Sequence, residues 1–246
     1  MDTNLKTLIV IPARFASSRF PGKPLVTLGQ KPIIKHVYEA VLGLNLPIII
    51  ATDNEMIKTR VEEFGAKCLL TSPDHPSGTD RIAEVVKNLD YDLIINVQGD
   101  EPFIQLQPLR ELIQAFADKS VSLASLMHPL TDEKEINNPN NVKVVCAKNL
   151  HALYFSRSPI PYNRDKIEPV SYFKHVGVYA YRKQALLDFV RLPQGQLEKI
   201  EKLEQLRFLE NGYKIKMVKT NYRAIGIDTP EDLIEAEKYL KKLSFE

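Results

Sequence analysis

At 246 residues with 44% hydrophobic content, the chain is long enough to bury a sizeable core, which excludes a disordered segment and the small stapled scaffolds. Its 33 Lys and Arg against 31 Asp and Glu leave a net charge of +2, too little for nucleic-acid binding through bulk charge, so any basic site has to be local. The only cysteines, Cys68 and Cys146, lack zinc-type spacing and argue against a disulfide framework or structural zinc; a reducing compartment fits.

Residues 1–14, MDTNLKTLIVIPAR, carry no signal-peptide pattern, and no later stretch approaches the ~20 apolar residues that span a bilayer. The expectation is a cytoplasmic protein with neither membrane nor nucleic acid as a partner. Apolar runs at 7–12 (TLIVIP), 47–52 (PIIIAT), 67–71 (KCLLT) and 92–98 (DLIINVQ) read as strands, and the segments 31–43, 54–64, 78–89 and 105–117 between them as helices. That alternation predicts right-handed crossovers and an α/β fold whose largely parallel sheet is covered on both faces, with functional residues at the carboxyl ends of the strands. Beyond residue 120 the pattern changes. Strands are expected at 121–127, 142–147 and 172–181, separated by the turn-rich NNPNN and SPIPYNRD, so 128–175 reads as a subdomain or arm suited to a subunit contact. A helix over 197–210 stops at Asn211-Gly212, a strand follows at 214–219, and the last helix starts after Thr229-Pro230.

The closest pair of glycines is Gly22 and Gly29, so neither the dinucleotide fingerprint nor the P-loop can occur, and H-E-x-x-H and G-x-S-x-G are also missing. Phosphate binding, if present, has to be built from side chains. The loop in IPARFASSRFPGKPL, residues 11–25, supplies them: Arg14, Arg19 and Lys23 follow the first strand with no acid among them, on a segment stiffened by Pro12, Pro21 and Pro24. Such a loop either is solvated with incidental charge or closes on a polyanion.

Asp100, in QGDEP at the end of the strand DLIINV, is placed to hold Mg²⁺ bridged to phosphates, or else to serve as a turn or cap residue. A competing D-x-D, Asp90 and Asp92, lies at the wrong end of that strand. In GIDTPEDL, residues 226–233, Thr229 reads as N-cap, Pro230 as the first helical residue and Asp232 as its capping partner, which leaves Asp228 to point elsewhere. Two carboxylates on strand exits facing a basic loop would form a magnesium and polyphosphate site. In YFKHVGVYAY, strand periodicity sets His175, Gly177 and Tyr179 on one face, as sugar-pocket lining or as satisfied core residues. On KIEKLEQLRFLENG, helical periodicity groups Glu204 and Arg207 with Ile200 and Leu203, and these charges are expected to pair with each other or to meet a polar substrate.

Taken together, IPARFASSRFPGKPL, HPSGTDR (75–81), VQGDEP, YFSRSPIPY (154–162), KHVGVYAYR, LEQLRFLENG and GIDTP, in that order along almost the whole chain, closely resemble the 3-deoxy-manno-octulosonate (Kdo) cytidylyltransferases. The sister enzymes for sialic-type acids typically have G-G-S-K-G where this sequence has FASSRFPGK. The resemblance implies Mg²⁺-dependent transfer of CMP from CTP to the anomeric hydroxyl of Kdo, with release of pyrophosphate, in lipopolysaccharide synthesis. It also implies a three-layer α/β/α nucleotidyltransferase-type fold with a mixed, mostly parallel sheet, one domain over 1–246 with a smaller dimerisation subdomain, and a homodimer. By motif, Arg14 and Lys23 would bind the phosphates, Pro12, Ala13, Ser77 and Gly78 would frame the cytosine, and Asp100 and Asp228 would hold magnesium. Gln98, Arg157, His175, Tyr179, Glu204 and Gln205 would contact the sugar acid, Gln98 serving the nucleotide as well, while Arg19 receives no role. Other readings are CMP activation of 8-amino-Kdo or a sialic-type sugar, a nucleotide-binding regulatory module without turnover, and a glycosyltransferase, which the misplaced D-x-D disfavours.

Overall fold

The computed structural model describes residues 5–16, 19–167 and 169–243. They form two compact units, one from residues 5–106 and 224–243, the other from 107–223.

The first unit opens on β1 (Thr7–Ala13), which is buried along nearly its whole length. After the basic loop come a two-strand hairpin, β2 (Thr27–Leu28) and β3 (Lys31–Pro32), and helix α1 (Ile33–Val41). The buried residues of α1, Ile33, Ile34, Val37 and Val41, form the apolar stripe that a helix needs to lie on a sheet. β4 (Ile48–Thr52), α2 (Glu55–Glu63), β5 (Cys68–Leu70), α3 (Gly78–Val86) and β6 (Leu93–Asn96) complete the alternation. β6, β1, β4 and β5 lie side by side and parallel. Their near-continuous Ile, Leu and Val content suits strands covered on both faces, since a solvated face would need alternating polar residues.

Register decides where the strands stop. Ala13 lies opposite Thr52, and Val10 opposite Asn96, so the exits of β1, β4 and β6 share one edge. Helix starts near that edge are capped by side chains: Asn54 accepts from the amides of Met56 (2.9 Å) and Ile57 (3.2 Å), and Ser77 accepts from Asp80 N (3.3 Å).

The second unit begins within α4 (Leu106–Gln114), at Gln107, and continues through β7 (Leu123–Leu130), α5 (Glu133–Asn137), β8 (Lys143–Cys146), β9 (Ala152–Ser156) and β10 (Tyr172–Arg182). Then come α6 (Lys183–Phe189), α7 (Gln196–Glu201), α8 (Gln205–Glu210) and β11 (Lys216–Lys219). β10 is antiparallel to β7 and β8, β8 is antiparallel to β9, and β11 runs parallel to β7. The fold is therefore α/β with a mixed, mostly parallel sheet organisation; apart from the short β2–β3 hairpin of the first unit, the antiparallel pairs named here lie in this unit. Residues 128–175 fall wholly inside it.

The expected helix over 197–210 is two helices. Lys202 adopts a left-handed conformation (φ 54°, ψ 47°) and ends α7, so the periodicity that grouped Glu204 with Ile200 breaks between them. Ile200 is exposed and Leu203 buried. The Arg207 guanidinium forks onto Glu198, at 2.7 and 2.6 Å, and this buried pair ties α8 to α7.

The chain then returns to the first unit with α9 (Pro230–Leu243). Its start is the expected reciprocal box: Asp232 N donates to Thr229 Oγ1 at 3.3 Å, and Thr229 N donates to Asp232 Oδ2 at 2.9 Å. Ala236, Leu233 and Leu240 pack with Leu28, Ile33 and Ile227, and Phe103 meets Tyr239 edge-on at 4.8 Å. This packing seats residues 226–229 beside the strand exits.

Candidate active site

The basic loop is held at its root before its charges can act. Phe15 N donates to Asp53 Oδ1 at 3.2 Å, and Gly22 N donates to Phe15 O at 2.9 Å. Gly22 takes φ +69°, a left-handed turn that a side chain would strain, and the single 3₁₀ turn of Lys23–Leu25 follows. Asp53 is itself paired with Arg81 Nη2 at 2.8 Å, both side chains being almost entirely buried. Arg81 also donates to Thr71 Oγ1 and to Ser72 O, so one arginine from α3 locks the exits of β4 and β5 to the loop.

Opposite the loop runs Gln98-Gly99-Asp100. A Cβ on Gly99 would stand 2.7 Å from the carbonyl oxygen of Pro12, a backbone atom that cannot move aside. Glycine here lets the segment pass against the end of β1. Gly99→Ala is expected to cost about 1–3 kcal/mol, the usual penalty for forcing a well-packed backbone apart. Urea unfolding measures it, and an unchanged midpoint would show that the two segments separate freely. Asp100 O accepts from Ile227 N at 2.9 Å, which fastens the second carboxylate segment to the first.

At the centre is Lys23. Its Nζ donates to Asp100 Oδ2 at 2.6 Å and to Asp228 Oδ1 at 2.9 Å, and the side chain is only 11% exposed. Arg19 Nη2 reaches the other oxygen of Asp228 at 3.0 Å. Burial alone would raise the Asp228 pKa, but the hydrogen bond and charge of Lys23, with Arg19, outweigh it and hold the carboxyl below its ordinary range. Burial likewise disfavours the Lys23 ammonium, and the two carboxylates overcome it, so its pKa is raised.

Pro12, Ala13, Arg14, Lys23, Gly78, Gln98, Asp100 and Asp228 thus line one cleft, together with Arg19 and Arg81. The Ser77 hydroxyl is engaged with Asp80, which leaves its backbone as the group able to serve a ligand. Arg19 and Arg81 went unassigned from sequence. Arg19 shares the basic loop with Arg14 and Lys23 but nothing local links it to Asp228, whereas Arg81 stands in HPSGTDR and could have been flagged as a charge needing a partner.

The other candidates lie in the second unit. His175 Nε2 sits 2.9 Å from Ser125 Oγ and Nδ1 3.5 Å from Gln205 Nε2, and its ring lies 5.4 Å from that of Tyr179. The register of β10 against β7 slips between Val176 and Tyr179, where Ser125 Oγ is within hydrogen-bond reach of the carbonyls of Val176 and Val178. The Cβ position of Gly177 faces open space. Burial pushes His175 down to about 3 and raises Tyr179 well above the ordinary phenol value, so both are neutral near pH 7. Glu204 stands at the N-terminal boundary of α8, directly before Gln205, and its side chain does not cap the helix. The Arg157 guanidinium donates to the carbonyls of Glu201 (2.8 Å) and Pro139 (3.0 Å) and reaches that of Lys202 (3.5 Å), holding the turn between α7 and α8.

Residues 8–215 match the Cytidylyltransferase family. A 3-deoxy-manno-octulosonate cytidylyltransferase of Flavobacterium johnsoniae is 51% identical over 244 residues, covering 97% of this chain and all of that protein. One from Bacteroides thetaiotaomicron is 48% identical over 250 residues, with 98% and 100% covered. The solved structure of CMP:2-keto-3-deoxy-manno-octonic acid synthetase complexed with CTP superposes with a TM-score of 0.93 at 41% identity, over 97% of this chain and 99% of that one.

Proposed function

Because the chain belongs to the 3-deoxy-manno-octulosonate cytidylyltransferase family, we propose that the cleft around Lys23 binds the triphosphate of CTP together with Mg²⁺. The enzyme moves CMP from CTP to the anomeric hydroxyl of Kdo and releases pyrophosphate. The observation that carries the site is the convergence of Arg14, Arg19 and Lys23 with Asp100 and Asp228 at one strand edge.

Two carboxylates on adjoining segments offer the hard oxygen donors that Mg²⁺ prefers, and the ammonium held between them indicates that this point favours a cation. Asp100 and Asp228 would hold the ion, which when bound neutralises and orients the phosphates. The reaction is an in-line displacement at the α-phosphorus. Arg14, Arg19 and Lys23 face the negative charge that grows on the departing pyrophosphate, and a preorganised cation there stabilises the transition state more than the ground state. Pro12, Ala13, Ser77 and Gly78, with backbone groups at the end of β1 and the start of α3, would frame the cytosine, and Gln98 would reach the nucleotide and the sugar.

For the sugar acid we assign His175, Tyr179, Glu204 and Gln205 as contacts. Arg157 would act on it through the α7–α8 turn that its guanidinium holds. His175 is not the general base: its pKa near 3 makes it a poor proton acceptor, and both ring nitrogens face partners. A homodimer contacting through 128–175 is supported by the exposed apolar side chains Leu153, Tyr162 and Ile167. Among the described residues no helix is long and apolar enough to cross a membrane, and we assign the enzyme to the cytoplasm.

Pyrophosphate release with CTP and Mg²⁺ tests the reading. Turnover is expected with Kdo and at least 10²-fold lower kcat/KM with a sialic-type acid, whose side chain the pocket was not built to hydrogen-bond. Comparable rates with 8-amino-Kdo or sialic acid would replace Kdo as the substrate, and CTP binding without turnover on any acid would favour a regulatory module.

A further inference from the structure

The carboxylates that would hold magnesium already hold a cation. Lys23 Nζ contacts Asp100 at 2.6 Å and Asp228 at 2.9 Å, and Arg19 covers the remaining oxygen of Asp228 at 3.0 Å. Two negative charges thus meet two positive ones, and a divalent ion arriving alone finds little net attraction. It would also have to come within about 2.0–2.1 Å of oxygens that an ammonium occupies. Like charges cannot share those oxygens, so the lysine has to leave before the metal binds.

The geometry supplies a way out. The backbone of Lys23 is pinned between left-handed Gly22 and Pro24, but its four-carbon stem can rotate, and an ammonium is a point charge that bonds from many directions. Because the side chain is only 11% exposed, the ammonium does not leave its carboxylates for bulk water; it needs another anion within the cleft. A triphosphate lying along Arg14 and Arg19 is such an anion.

We propose that Lys23 is the resident counter-ion of the Asp100–Asp228 pair, displaced onto the nucleotide phosphates when CTP binds, so that these carboxylates take up divalent metal only together with nucleotide. The exchange rests on the metal-site reading above. It keeps the acids paired in the nucleotide-free enzyme, and it couples metal and CTP positively, since each removes the obstacle to the other.

Mn²⁺ binding to the full-length protein, followed by the electron paramagnetic resonance signal of the free ion, tests it without reference to turnover. Without nucleotide, Lys23→Met and Lys23→Gln should each bind Mn²⁺ at least 10-fold more tightly than the unmodified protein, and adding Asp228→Asn to either should remove the gain. If neither variant gains affinity while Asp228→Asn still weakens Mn²⁺ uptake in the presence of α,β-methylene-CTP, the exchange is wrong and the metal site stands. If Asp100→Asn and Asp228→Asn leave uptake with that analogue unchanged, the metal reading fails and takes the exchange with it.

Discussion

Asp228→Asn and Asp100→Asn are each expected to lower kcat/KM for CMP-Kdo formation by roughly 10³-fold, which corresponds to about 4 kcal/mol of lost transition-state stabilisation. The replacement is close to isosteric and keeps an oxygen that can accept from Lys23, whose bonds to the two residues are 2.6 and 2.9 Å. What it removes is a negative charge. A neutral amide oxygen is a weak magnesium ligand, and both acids lie in the same cleft as the cations of the basic loop. The fold should survive, because the packing of α9 on Leu28 and Ile33 and the Thr229–Asp232 box do not involve either side chain. Initial rates of pyrophosphate release against Mg²⁺ concentration, with thermal unfolding alongside, are the measurement. Ordinary turnover in either variant would remove that aspartate from the metal site.

The second large effect is on stability. Glu198→Ala should destabilise the protein by about 3–5 kcal/mol, because it leaves the Arg207 guanidinium buried without its carboxylate. Both side chains are 6% exposed, and the two bonds between them, at 2.6 and 2.7 Å, are the charge-assisted fork that holds α8 against α7. Arg207 also lies over the Phe189 ring at 4.4 Å, so its stem and face are packed as well as paired. The double change Glu198→Leu with Arg207→Met should recover most of the loss, since apolar side chains of similar volume carry no desolvation penalty. Urea unfolding of both variants checks this. A cost below about 1 kcal/mol for Glu198→Ala would mean that water reaches the pair.

Glu198 is also where helical periodicity misled. An unbroken helical period over 197–210 sets Glu204 beside Arg207 and does not point back to Glu198. The break at Lys202 carries no glycine or proline signal, and its left-handed conformation is supported by tertiary contacts: the carbonyls of Glu201 and Lys202 are held by Arg157 from beyond β9. β9 and α6 carry little signal in the sequence, since HALYFS is short and lies between turn-rich stretches, and α6 follows β10 without a loop to mark its start. Strands β1, β4, β5 and β6 and the helices between them are legible because parallel strands buried on both faces are continuous apolar runs, and those helices show an apolar stripe.

The cleft divides along the same line. Arg14, Lys23, Asp100 and Asp228 could be nominated because each stands at a strand exit or beside a helix cap, features set by neighbours within a few residues. By itself the sequence determined the α/β alternation, the capped start of α9 that leaves Asp228 unused, and the basic loop. Only the tertiary structure decided which charges meet. Lys23 is 77 residues from Asp100 and 205 from Asp228, and the parallel register of β1 and β6, with α9 packed beside them, brings the three together. It likewise put Arg81 on Asp53 and Arg19 on Asp228. Caps and apolar stripes are short-range properties that a few residues specify, whereas an ion pair depends on distance through space, and strand order sets that distance only after the chain has folded.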